Sequence, residues 1–146
     1  METIKVKEWN DIPKNYTGIV EFANGNKYWV LDGKRHRVDG PACEYNNGNK
    51  EWYLNGKLHR VDGPAFERAN GDKEWWLNGD LHRIDGPAVD YVDGTKSWYL
   101  NGKRHRIYGP AIEWNNGVEK YFINGKEVTK EAQEVLYAMY KLKGML

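Results

Sequence analysis

Apolar and polar positions recur along residues 20–126 with a period of 23. All four histidines, His36, His59, His82 and His105, follow that spacing. Segments 20–42, 43–65, 66–88 and 89–111 align without a gap, and a partial fifth copy covers 112–126. One stretch of each copy alternates apolar and acidic residues, as in Cys43-Glu44-Tyr45, Val89-Asp90-Tyr91 and Ile112-Glu113-Trp114. Period-two alternation predicts a half-buried strand. A second stretch, Lys50-Glu51-Trp52-Tyr53-Leu54, predicts a strand with Trp52 and Leu54 on one face and Tyr53 on the other. Its counterparts pair Trp29/Leu31, Trp75/Leu77, Trp98/Leu100 and Tyr121/Ile123, with Trp76, Tyr99 and Phe122 opposite.

Two series of turn signals punctuate these strands. Asn24-Gly25, Asn47-Gly48, Asn70-Gly71, Asp93-Gly94 and Asn116-Gly117 suit tight hairpins, because both residue types tolerate φ > 0. Asp32-Gly33, Asn55-Gly56, Asn78-Gly79, Asn101-Gly102 and Asn124-Gly125 open a longer connection, Asn55–Gly63 in the second copy. That connection closes on Asp-Gly-Pro-Ala, and a proline without a ladder donor belongs at a strand start. The expected fold is all-β: an elongated antiparallel sheet of tandem β-hairpin repeats, about ten repeat-derived strands in all. Residues 1–19 read as a degenerate lead-in and residues 127–146 as a C-terminal capping helix. Thr129 is placed to cap a helix over Lys130–Lys143 that stops at Gly144. Ala132, Val135, Leu136, Met139 and Leu142 share one helical face, which is expected to cover the last hairpin. A docking surface for a partner is the alternative role for this helix.

Composition narrows the function classes. The 146 residues suffice for one domain. Seven Trp and ten Tyr in a chain only 40% hydrophobic lead to the expectation that rings supply most of the buried area. A formal charge of +1, from 22 basic and 21 acidic residues, gives little support to DNA, RNA or membrane-surface binding. Cys43 is the one cysteine, so neither an intrachain disulfide nor a cysteine-rich metal site can form. It takes the place of Val20, Phe66, Val89 and Ile112, and reads as a small buried hydrophobe. No apolar run approaches the roughly 20 residues that span a bilayer. The first residues lack the apolar stretch of a secretory signal, so the cytoplasm is the expected location.

The motif Trp-Tyr-x-Asn-Gly-Lys-x-His-Arg-x-Asp-Gly-Pro-Ala, repeated over residues 20–126, resembles MORN-type β-hairpin repeats. The closer likeness is to a variant found in proteins of bacteriophages, bacteria and giant viruses. That resemblance implies a single-layer antiparallel sheet and a non-enzymatic, interaction-type role, with a phage origin. It names no ligand. Arg37, Arg60, Arg83 and Arg106 stand where MORN units usually carry glycine, so lipid binding is not carried across.

Three chemistries compete for the His-Arg-x-Asp loop. Arg–carboxylate pairs are planar and bidentate, which suits a staple that every copy needs for folding. Metal binding fits poorly, because successive histidines would lie roughly 10 Å apart with two strands per copy while Zn–N bonds are about 2 Å. A row of Arg and His, flanked by Lys34, Lys57 and Lys103, could instead grip phosphate. The chain lacks a nucleophile elbow, a phosphate-binding loop and a His-Glu-x-x-His motif, so catalysis and cofactors are not expected. Positions that the copies do not share attract attention next. These are Arg68 in place of an aromatic, Trp76 among tyrosines, Asp80 in place of Lys, and Tyr108 in place of Asp. The candidate partner-binding residues are therefore Arg60, His82, Arg83, Arg106, Arg68, Trp76 and Tyr108. The expected function is capture of a host protein, such as an anti-phage defence protein, by a phage-encoded binding protein. A sponge for a small phosphorylated nucleotide signal is the alternative, and a homo-oligomerisation unit joined through open sheet edges is the third.

Overall fold

The computed structural model describes residues 1–146, and in the middle copies it resolves the chain into two short ladders that part at the tryptophan. In the second copy Cys43–Glu44 pairs antiparallel with Lys50–Glu51 across the Asn47-Gly48 turn. Tyr53–Leu54 then pairs with Lys57–Leu58 around Asn55 and Gly56, whose φ angles are +50° and +79°. Trp52 belongs to neither strand. Its N–H donates to the Ala65 carbonyl at 2.8 Å, and its carbonyl accepts from the His59 N–H at 2.9 Å. The expected five-residue strand Lys50–Leu54 is thus two strands of two residues each. Strands stay continuous where a longer neighbour supports them. Lys27–Leu31 lies along Gly18–Phe22, and Glu119–Ile123 gains Lys126–Val128. The long connection also carries a strand of its own, Lys57–Leu58, so a copy holds more than the two strands expected.

The chain forms two compact units, Met1–Asp80 and Leu81–Leu146. In the first, the sheet runs Thr3–Val6, Gly18–Phe22, Lys27–Leu31, Cys43–Glu44, Lys50–Glu51, Phe66–Glu67, Lys73–Glu74. Neighbours are antiparallel except the parallel first pair, which lets the lead-in return through a short 3-10 turn at Trp9–Asp11. The second unit runs Val89–Asp90, Lys96–Ser97, Ile112–Glu113, Glu119–Ile123, Lys126–Val128, antiparallel throughout. The small hairpins also bond to one another, for instance through Arg37 N–H to the Tyr53 carbonyl and Gly56 N–H to the Arg35 carbonyl. An antiparallel sheet of hairpin repeats followed by a single helix is therefore the observed architecture.

The most deeply buried positions are mainly small side chains. Ala42, Ala65, Ala88 and Ala111 are fully buried, as are Val20 and Cys43, while Val89 and Ile112 are buried nearly as deeply. Tyr28 and Phe122 are the buried rings; the repeat tryptophans Trp29, Trp52, Trp75 and Trp98 are half-buried.

The helix spans Lys130–Leu142, one residue shorter than expected, with the Thr129 hydroxyl accepting from the Ala132 N–H at 3.1 Å. Gly144 closes it at φ +64°. Its buried face differs from the one expected: Ala132, Val135, Met139 and Leu142 are exposed, and the most buried helical residue is Gln133. Gln133 donates to the Arg106 and Gly109 carbonyls at 2.7 Å and accepts from the Gly109 N–H at 3.1 Å. Fully bonded, an amide loses little by burial. Tyr137 adds a ring contact to Tyr108 with centroids 4.9 Å apart. These two contacts turn the helix away from its most apolar face. No helix is long and apolar enough to cross a membrane.

Candidate functional site

Each histidine clasps the following copy. The Nδ1 atoms of His36, His59, His82 and His105 accept the backbone N–H of Asn55, Asn78, Asn101 and Asn124 at 3.0–3.1 Å. Those asparagines hold φ near +50°, a left-handed conformation that Asn tolerates better than most residues. The clasp fixes the turn that needs fixing most.

The arginine beside each histidine is held on several sides. Arg60 Nε donates to Asp62 at 2.9 Å, and Nη1 donates to the Pro64 carbonyl and to Glu67, both at 3.1 Å. Its guanidinium carbon lies 4.1 Å from the Trp52 ring centroid. A Cβ at Gly63 would lie 3.0 Å from that same carbon, so any larger residue there would have to push the guanidinium aside. Arg37 and Arg106 stack on Trp29 and Trp98 at 4.0 and 3.8 Å. Arg83 bonds Asp85 and the Pro87 carbonyl. Arg106, whose aspartate is replaced by Tyr108, keeps Pro110 and Glu113. The arginine hydrogen bond holds the Asp39, Asp62 and Asp85 carboxyls below the usual carboxylate range.

This arrangement turns the loop inside out electrically. The arginine side chains of the first three copies are 22–23% exposed, whereas their aspartates are 84–85% exposed. The residue between them, the x of the motif, is also largely exposed: Val38 and Val61 at 84%, Ile84 at 87%. Between the first two loops lies a groove of about 620 Å³, floored by Trp52 and Leu54 and rimmed by Val38, Asp39, Val61 and Asp62. A second groove of about 320 Å³ lies over Trp29 and Leu31 beside Val38 and Asp39. The indole N–H groups of Trp29 and Trp52 make no hydrogen bond within the protein and are not sealed from solvent.

The positions that the copies do not share acquire local explanations. Arg68 pairs with Asp72 at 3.3 Å and Glu74 at 3.7 Å, so Arg for an aromatic accompanies Asp72, where the first two copies carry Asn26 and Asn49. Trp76 donates its indole N–H to Glu74 at 3.0 Å. Tyr108 meets the helix. His82 clasps Asn101. Nothing in the structure explains Asp80. Of the seven candidate residues, Arg60 alone lines the larger groove. Missed from the sequence was Arg35, whose guanidinium lies 5.2–5.4 Å from the rings of Trp9, Tyr28 and Tyr53. Its signal was the Lys-x-His position, which carries Arg in the first and fourth copies and Leu in the second and third. No group of three or more His, Cys, Asp or Glu side chains converges as a metal site. Such a surface defines a repeat scaffold with a grooved, apolar-and-acidic loop edge. No protein-family model matches the chain, and a search of curated proteins found no match.

Proposed function

We propose that this chain is a non-catalytic binding protein of the MORN-like variant type, which captures another protein through its His-Arg-x-Asp loops. The observation that carries the reading is the exposed aliphatic residue in each of the first three loops: Val38, Val61 and Ile84. Folding gains nothing from leaving such a side chain in water, whereas burying it against a partner contributes about 1.5 kcal/mol. The resemblance to phage-borne repeats supports a phage-encoded protein acting on a host protein in the host cytoplasm. The nucleotide-sponge alternative has less support, because the guanidiniums it needs are stacked on tryptophan and bonded to carbonyls and carboxylates.

A pull-down from host lysate compares the native chain with a Val38→Ser/Val61→Ser/Ile84→Ser variant. The native chain is expected to retain one stoichiometric protein that the variant loses by about a hundredfold, given about 3 kcal/mol for two of the three side chains. Equal retention by both would sink the proposal.

A further inference from the structure

Resting on that reading, the geometry of the first unit narrows the partner to one backbone conformation. We propose that the edge carrying Val38, Asp39, Val61 and Asp62 takes a basic polyproline II segment. In this arrangement an apolar residue, proline foremost, settles over Trp29 and another over Trp52, with Lys or Arg facing the two aspartates.

Spacing is the first argument. With two strands per copy in each ladder, equivalent points on successive copies lie about 10 Å apart. A polyproline II helix returns the same face to a surface every three residues, roughly 9.3 Å along its axis. An extended strand returns it at about 6.7 Å and fits no groove in turn. An α-helix returns it after seven residues, about 10.5 Å, so spacing alone admits a helix.

Hydrogen bonding decides between those two. Trp29 and Trp52 line the two grooves, and their indole N–H groups make no hydrogen bond within the protein. An α-helix has spent its backbone carbonyls on itself. A polyproline II segment makes no internal hydrogen bonds and offers a carbonyl at every residue. Aromatic-lined grooves with such donors are the means by which proline-rich segments are read.

Charge complementarity supplies the third argument. Asp39 and Asp62 each bond their own arginine through Oδ1 on a side chain that is 85% exposed. Their arginines lie beneath, largely covered. The rim therefore shows anions to an approaching chain, and cations on that chain complement it.

The test titrates the full-length, isotope-labelled protein with the peptide (Pro-Pro-Lys)4 and follows the tryptophan indole N–H signals. Saturable shifts confined to Trp29 and Trp52 are expected. The Asp39→Asn/Asp62→Asn variant, with an unchanged melting temperature, should bind about tenfold more weakly, since the rim charges are exposed and screened. Absence of shifts overturns the proposal. So does equal binding by (Gly-Gly-Lys)4, which keeps the charge without the conformation, or tighter binding by a basic helix with an apolar heptad stripe. If these peptides fail while Val38→Ser/Val61→Ser still releases a captured protein, the polyproline assignment falls and the capture reading stands. If that variant releases nothing either, both fall.

Discussion

Replacing Arg60 with alanine tests the staple most directly, because the residue's contacts can be summed. Stacking on Trp52 at 4.1 Å in a mostly covered site contributes about 0.5–1 kcal/mol. The charged, partly buried hydrogen bond to the Pro64 carbonyl adds about 1.5 kcal/mol. Glu67 is more than a third exposed, so its ion pair is discounted to about 0.5 kcal/mol. The Asp62 side chain is 85% exposed, so its pair with Arg60 is left out of the sum. Arg60→Ala should then cost about 2.5–3 kcal/mol, which lowers the melting temperature of a chain this size by about 5–10 °C. Arg60→Lys keeps the charge without the planar fork and should recover less than half of that loss.

Gly63 gives the same argument an internal control. Its missing Cβ would meet the Arg60 guanidinium carbon at 3.0 Å. Gly63→Ala should therefore destabilise the native chain yet be close to neutral in the Arg60→Ala background, a coupling that a double-mutant cycle measures. Thermal scans followed by near-ultraviolet circular dichroism report on the tryptophan environment directly. A melting temperature for Arg60→Ala within about 1 °C of native, combined with lost partner binding, would refute the staple and make Arg60 a binding residue.

Gln133→Leu removes three hydrogen bonds and leaves the Arg106 and Gly109 groups unpaired. Hydrogen exchange over 130–142 should accelerate by an amount corresponding to about 2–4 kcal/mol, and unaltered protection there would exclude the amide as the anchor. Burial pushes the His105 imidazole below its ordinary pKa, while its Nδ1 accepts from Asn124. The folded state thus binds this proton less readily than the unfolded chain. The stability gained is present above about pH 6.5 and is lost as pH falls through the lower, folded value. Melting curves of His105→Ala should accordingly lose less stability on acidification than the native chain, and parallel pH profiles would contradict this. Burial also pushes the Cys43 thiol up to about 12. Iodoacetamide at about pH 8 should label it only after unfolding, and rapid labelling of the native chain would show that the seam opens.

Features set by neighbouring residues were legible in the sequence; features set by distant partners were not. Thr129 announced the helix start because a capping hydroxyl acts within its own turn. The Asn-Gly turns were legible for the same reason. Lys50–Leu54 alternates like a strand, but whether it stays whole depends on the length of its neighbours, which the segment does not encode. The helix face was misjudged because apolar periodicity gives Gln133 no weight, although its carboxamide matches three backbone groups on the loop preceding Pro110. Staple and anion grip were both readable in His-Arg-x-Asp. What separates them is that arginine lies under its aspartate, a matter of depth that spacing does not report. Val38 and Val61 fill the x of His-Arg-x-Asp, a position to which the sequence attaches no role. Their 84% exposure is what marks them as surface residues.

The histidine clasp also dictates how this chain can be built and lengthened. Each imidazole finds its donor 19 residues downstream. A copy leaving the ribosome thus waits, unlatched, until the turn of the next one has been made, and maturation follows synthesis with a lag of one module. Gene-level duplication of a whole module, inserted for example between Ala65 and Phe66, keeps every imidazole matched to a turn. Growth by whole modules is a route open to this architecture.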